Sequence, residues 1–117
     1  MSHTPGPWVR CATSPKIIMS GSIIEGHEGC MIGSVTGNDN SGFYASEEEA
    51  EANAKLISAA PELLNELKSL YRAYVRLLEA GHDRILSLGG DCDPVDKMES
   101  EDQNLRSAQA AIAKATA

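Results

Sequence analysis

Apolar positions follow two different periods along this chain. From Pro7 to Ala45 they come in short runs, "PWVRCA", "KIIMS", "SIIE", "CMIGSVT" and "GFYA", divided by "SP", Gly21, "GHEG" and "GNDNSG". Short apolar runs bounded by glycine, proline, asparagine and aspartate predict three to five short strands joined by tight turns, an antiparallel meander. Ile17, Ile23, Ile32 and Val35 give that sheet an apolar face. They are too few for a second sheet to pack on, so helices further along must cover the face.

The period changes at Ser46. Ser46 and Glu49 form a capping box, and Glu47 and Glu48 complement the dipole of the helix it starts. Leu56, Ala60, Leu63, Leu67, Leu70, Tyr74 and Leu77 then recur at alternating intervals of four and three, until Gly81 offers a stop. Ile57, Leu64, Tyr71 and Leu78 run beside them at intervals of seven, which makes the apolar stripe wider than one packing partner requires. The pattern predicts a long helix from about 46 to 80. Pro61 either bends that helix or begins a new one after "ISAA". Ser100 with Gln103 repeats the capping pattern, and Leu105, Ala108, Ile112 and Ala115 mark a last helix over about 100–115. Ile85, Leu86 and Leu88 are expected in a short helical turn within a loop of about 81–99. The class is α+β: one domain over 1–117, with a small N-terminal antiparallel β-sheet (1–45) packed on a long helix, kinked or broken, and a C-terminal helix paired with it. The surplus apolar surface predicts a homo-oligomer, a dimer or larger.

Composition narrows the classes of function. The five aromatic residues, Trp8, Phe43, Tyr44, Tyr71 and Tyr74, imply an aliphatic core. The net charge of −7 is concentrated after Ser46, which holds 14 of the 17 acidic and 8 of the 10 basic side chains. Direct nucleic-acid binding needs a basic face and is disfavoured. Cys11, Cys30 and Cys92 form no C-x-x-C pair, and "MSHTPGPW" has neither the basic nor the apolar region of a signal peptide, so the expected home is a reducing cytosol. No apolar run approaches the roughly 18 residues of a membrane span.

Candidate chemistry is sparse. His3, His27 and His82 are scattered, and the phosphate-loop, dinucleotide and metalloprotease motifs are absent, so no enzyme and no cofactor are expected. "GHEGC" supplies His27 and Cys30, two ligands where structural zinc needs four. "DCDPVD" supplies Asp91, Cys92, Asp93 and Asp96 without the glycine and glutamate of a calcium loop. No metal is expected. Trp8, fixed by "TPGP", reads first as a core anchor and second as a stacking surface. Arg72 and Arg76 lie four apart beside Tyr74, with Lys68 in line, and such a row suits phosphate or carboxylate. The competing reading pairs these cations with Glu62, Glu66 and Glu79 on a solvated face.

The stretches "HTPGPW" and "EANAKLISAAPELLNELK" resemble a pattern in small accessory proteins of tailed phages and prophages, including the Ead-like early-region proteins. In those proteins a T-P-G-P-W element precedes a helix with an A-x-x-I-A-A-A-P-like core. The resemblance covers Thr4–Trp8 and about Glu51–Lys68, and it carries over no catalytic or binding residue. It implies a phage protein of the host-cell cytosol, small and non-enzymatic, that binds and neutralises a host component. The favoured mechanism is a homo-oligomeric sponge for a nucleotide immune messenger, a cyclic nucleotide or an ADP-ribose-type ligand. Arg72 and Arg76 would hold phosphate, Tyr74 or Tyr44 would stack, and the Gly37–Gly42 loop, including Asn40, would supply further donors. The alternatives are an acidic, anti-CRISPR-type inhibitor of a host defence protein and a structural or regulatory phage protein.

Overall fold

A computed structural model describes residues 2–21 and 29–116. The chain divides into two compact units, one from Ser2 to Leu63 and one from Leu64 onward. The first is a three-stranded antiparallel sheet covered by a helix, and the second is helical, so the class is α+β.

In the first unit, β1 (Trp8–Arg10), β2 (Ile17–Ser20) and β3 (Met31–Ser34) pair in the order β1-β2-β3. Trp8 faces Ser20 across the first pair. The second pair slips between Ile18 and Met19, which face Gly33 and Met31 and leave Ile32 as an extra residue on β3. Side chains alternate between faces of a strand, so only one of Ile17 and Ile18 can enter the core. Ile18 does, at 1% exposure, with Ser20 beside it on the same face. Ile17, Ile32 and Val35 are half-buried. Ile23 and the run "SIIE" lie outside the described residues. "GFYA" forms no strand: Ala45 makes a single parallel bridge to Gly37, and the Asn38 amide donates to the Ala45 carbonyl at 2.8 Å.

Helix α1 (Glu47–Ser58) packs on β1 and β2 and buries Ala50 and Ala54. The serine half of its capping box forms, with the Glu49 amide donating to Ser46 Oγ at 3.1 Å, while the Glu49 carboxylate accepts from the Ser46 hydroxyl at 3.2 Å and not from a backbone amide. Asp39 Oδ1 accepts from the Glu47 amide at 2.9 Å, so the "GNDNSG" loop serves as a second cap. The helix stops at Ala59 and α2 (Ala60–Ser87) begins at the next residue. Of the two outcomes open at Pro61, the new helix is the one formed. Pro61 is its second residue, where a missing N–H leaves no intrahelical bond unmade. Pro61 is buried close to the "TPGPW" turn: a Cβ on Gly6 would lie 2.9 Å from Pro61 Cβ. The Trp8 indole N–H donates to the Thr4 carbonyl at 3.0 Å and the ring is half-buried, in keeping with an anchoring role.

Gly81 does not end α2. A glycine inside a helix costs about 1 kcal/mol relative to alanine, which the flanking turns absorb. The stop comes at Gly89, in the left-handed region at φ +85°, with the Gly90 amide returning to the Ile85 carbonyl at 3.0 Å. The expected loop therefore shrinks, because Ile85 and Leu86 belong to α2 and Val95–Glu101 forms a helix, α3. The last helix, α4 (Gln103–Thr116), starts later than the Ser100–Gln103 pattern predicts. Ser100 lies inside α3 and donates to the Lys97 carbonyl, while Asp102, extended at ψ 116°, caps α4 by accepting from the Leu105 amide at 3.0 Å. Leu105 is the buried residue of α4.

Gly37 is where α1 comes closest to the loop that caps it. A Cβ there would meet Ala50 Cβ at 2.7 Å and the Ser46 carbonyl at 3.0 Å, whereas a Cβ on Gly42 would meet nothing within 4 Å. Gly37→Ala should destabilise the fold by about 1–3 kcal/mol, as overpacking does. Gly42→Ala should leave the urea midpoint within error of the parent, and equal midpoints for the two variants would refute the close-approach account.

Candidate functional site

Helix geometry distributes the candidate residues of α2. Successive residues turn by about 100°, so Tyr74, two positions from both Arg72 and Arg76, faces the opposite side of the helix from them. Arg72 and Arg76 share a shallow cavity of about 280 Å³ with Tyr71, Val75 and Glu99. Tyr71 thus stands where the sequence suggested Tyr74. Its hydroxyl donates to Glu99 of α3, a contact hidden in the sequence because Tyr71 read as a packing residue and Glu99 as part of a loop. The Tyr74 hydroxyl instead donates to Asp102 Oδ2 at 3.0 Å.

The arginines have few partners of their own. Among the described residues the ion pairs are Lys16–Glu47 and Lys97–Asp93, and His82 Nδ1 lies 3.2 Å from Asp83 Oδ1. The expected helix-face pairing of Arg72 and Arg76 with Glu62, Glu66 or Glu79 is not formed. Among the described residues Arg72 donates to Ser69 Oγ, at 3.5 Å. Two adjacent guanidinium groups, one wall of tyrosine ring and one carboxylate make a surface that can accept an anion and a hydrogen-bond donor side by side.

Tyr44 and Asn40 belong to the unit from Ser2 to Leu63. Tyr44 is exposed and meets Phe43 edge to face, with ring centroids 5.1 Å apart. The loop amides are largely committed. Asn40 N–H donates to Asn38 Oδ1 at 2.9 Å, Ser41 N–H to the Asn38 carbonyl, and Phe43 N–H to Ser41 Oγ. This loop spends its donors on its own turns and its Asp39 carboxylate on α1, so it is a cap rather than an anion cradle. Beside it, Pro15, Lys16, Asp39, Ser46, Glu47, Glu48 and Glu51 line a larger cleft of about 460 Å³. Four carboxylates surround one lysine there, and Lys16 Nζ is already held by Glu47 at 2.6 Å. The cleft is acidic and repels phosphate.

Among the described residues no group of three or more histidine, cysteine, aspartate or glutamate side chains is placed to hold a metal, Asp91, Cys92, Asp93 and Asp96 included. His27 lies outside the described residues. No described helix is long and apolar enough to cross a membrane.

Hydrogen bonds to Glu99 and Asp102 raise the Tyr71 and Tyr74 phenols above the ordinary tyrosine value. Asp102 is held below its ordinary value, first by the Leu105 amide, with the Tyr74 hydroxyl adding to it. A raised folded-state value stabilises fully below the unfolded value, about pH 10 for tyrosine, and the contribution disappears as the pH climbs through the raised one. Replacing both tyrosines (Tyr71→Phe with Tyr74→Phe) should therefore lower the melting temperature at neutral pH and flatten its decline above about pH 10. Parallel melting curves for parent and variant across that range would contradict the two bonds.

The model of the family described as Salmonella phage P22 protein Y8K6 matches residues 1–117. The phage origin expected from "HTPGPW" and "EANAKLISAAPELL" agrees with that match. No curated protein and no solved structure matches the chain.

Proposed function

The chain belongs to the Salmonella phage P22 protein Y8K6 family, and on that premise we propose a non-enzymatic binding protein that acts against host defence by sequestering a phosphorylated nucleotide messenger in the host-cell cytosol. The cavity over Arg72 and Arg76 carries this reading. Two guanidinium groups without an ion pair among the described residues can take a phosphate bidentately. Glu99, already accepting from Tyr71, keeps an oxygen for a ribose hydroxyl or a base amine, and the Tyr71 ring edges the cavity. At about 280 Å³ the open cavity has room for one nucleotide unit of a larger messenger. A homo-oligomer, presenting several such cavities, suits a sponge. Kinship with the Ead-like early-region proteins is part of the same proposal and rests on the two shared stretches.

One observation favours a second reading. The cleft of Asp39, Glu47, Glu48 and Glu51 presents a local acidic surface on the other unit, the kind of face that would occupy a basic groove of a host effector.

A ligand that binds only the folded state raises the melting temperature by mass action. Among cyclic di- and trinucleotides and ADP-ribose derivatives, at least one should raise it for the parent chain, and the shift should vanish in Arg72→Ala and Arg76→Ala. No shift with any of them, with co-purification of a host effector that is lost on Glu47→Lys with Glu51→Lys, would replace the sponge by the inhibitor.

A further inference from the structure

The face of α2 turned away from Tyr71 carries six exposed positions in a repeating order: Glu66, Leu70, Ala73, Leu77, Ala80 and Arg84, at alternating intervals of four and three. Leu70 and Leu77 are 67% and 71% exposed and lie seven residues apart on this line. Glu66 and Arg84 stand 18 residues apart, which is five helical turns, so they mark the two ends of one straight line about 27 Å long. Neither side chain forms an ion pair with another described residue.

The spacing is symmetric about the level of residue 75, and the residues it relates are complementary. Reversing the helix places Leu70 opposite Ala80, Ala73 opposite Leu77, and Glu66 opposite Arg84. We propose that a second copy of this chain docks on this face with its own α2 antiparallel, about a two-fold axis passing at the level of residue 75. Each leucine then sits over an alanine of the other copy, the large-against-small alternation that lets helices approach closely. Both ends close with a Glu66–Arg84 pair of opposite charge. A parallel arrangement would set leucine against leucine, and Glu66 and Arg84 each against its own like charge, which is repulsive. Such an interface is isologous and closes at two copies. The inference rests on the homo-oligomer part of the proposed function and adds its register and stoichiometry. It does not depend on what the arginine cavity binds.

Analytical ultracentrifugation of the full chain should give twice the 12.5 kDa chain mass. Leu77→Glu should give the single-chain mass with an unchanged helical circular dichroism spectrum, since Leu77 is exposed within the chain. Glu66→Arg and Arg84→Glu should each weaken the dimer about tenfold or more, through two like-charge contacts per dimer, and the double exchange should restore it. A parent chain of single mass, or a Leu77→Glu dimer as tight as the parent, would overturn the proposal; the former would remove the oligomer as well. A parent dimer weakened by both single reversals and not restored by the double exchange would overturn the antiparallel register while leaving the homo-oligomer standing.

Discussion

Close approach of backbone, more than bulk of side chain, holds the unit from Ser2 to Leu63 together. Helix α1 offers the sheet Ala50 and Ala54 and no larger buried side chain, and Ile18 is the largest fully buried residue of the described chain. Alanines contribute little apolar area each, at about 25 cal/mol per Å². They do let a helix lie almost against its support. Two glycines complete the arrangement, Gly37 under Ala50 and Gly6 under Pro61, at positions where a Cβ has no room. Capping supplies what burial does not: Ser46 and Asp39 satisfy separate amides of the first turn of α1. The consequence is a thin core with large apolar side chains left over, including Phe43 and Tyr44 in the capping loop.

The two stretches that resemble the phage accessory-protein pattern meet at this constraint. "TPGPW" and "ISAAP" are far apart in sequence, yet Gly6 and Pro61 come within a methyl group of contact. Pro61 both ends the run of α1 and fills the space beside the turn. Its presence in that pattern thus has a packing reason that is independent of any ligand.

In the unit from Leu64 onward, one helix serves three directions. Tyr71 and Tyr74 tie α2 to Glu99 and Asp102 through hydroxyl–carboxylate bonds, which orient it without a large buried core. The arginines lie to one flank and the leucines on the far side. Among the described residues Arg72 and Arg76 stand outside the ion pairs and Leu70 and Leu77 outside the core, which keeps both groups available for something beyond the chain itself.

Local signals were legible in the sequence wherever the physics was local. The Ser46 capping box, the short β-like runs, the long helix with an interruption at Pro61 and the excess apolar stripe all follow from spacing within a few residues. The competing signals were not. Ser100 and Asp102 both offer a cap, and Gly81 and Gly89 both offer a stop; which one prevails depends on whether Val95–Glu101 becomes a helix and on how far α2 is carried past Gly81. The row of Arg72 and Arg76 could be read from an interval of four. That Tyr74 stands on the opposite side follows from the helical period as well, whereas the closing of the cavity by Tyr71 and Glu99 could not be read, because their contact spans 28 residues. Likewise, the two apolar series announce a wide stripe, but only the folded chain decides which side of α2 is consumed internally and which is left bare, since that choice belongs to the partners a helix finds and not to the helix.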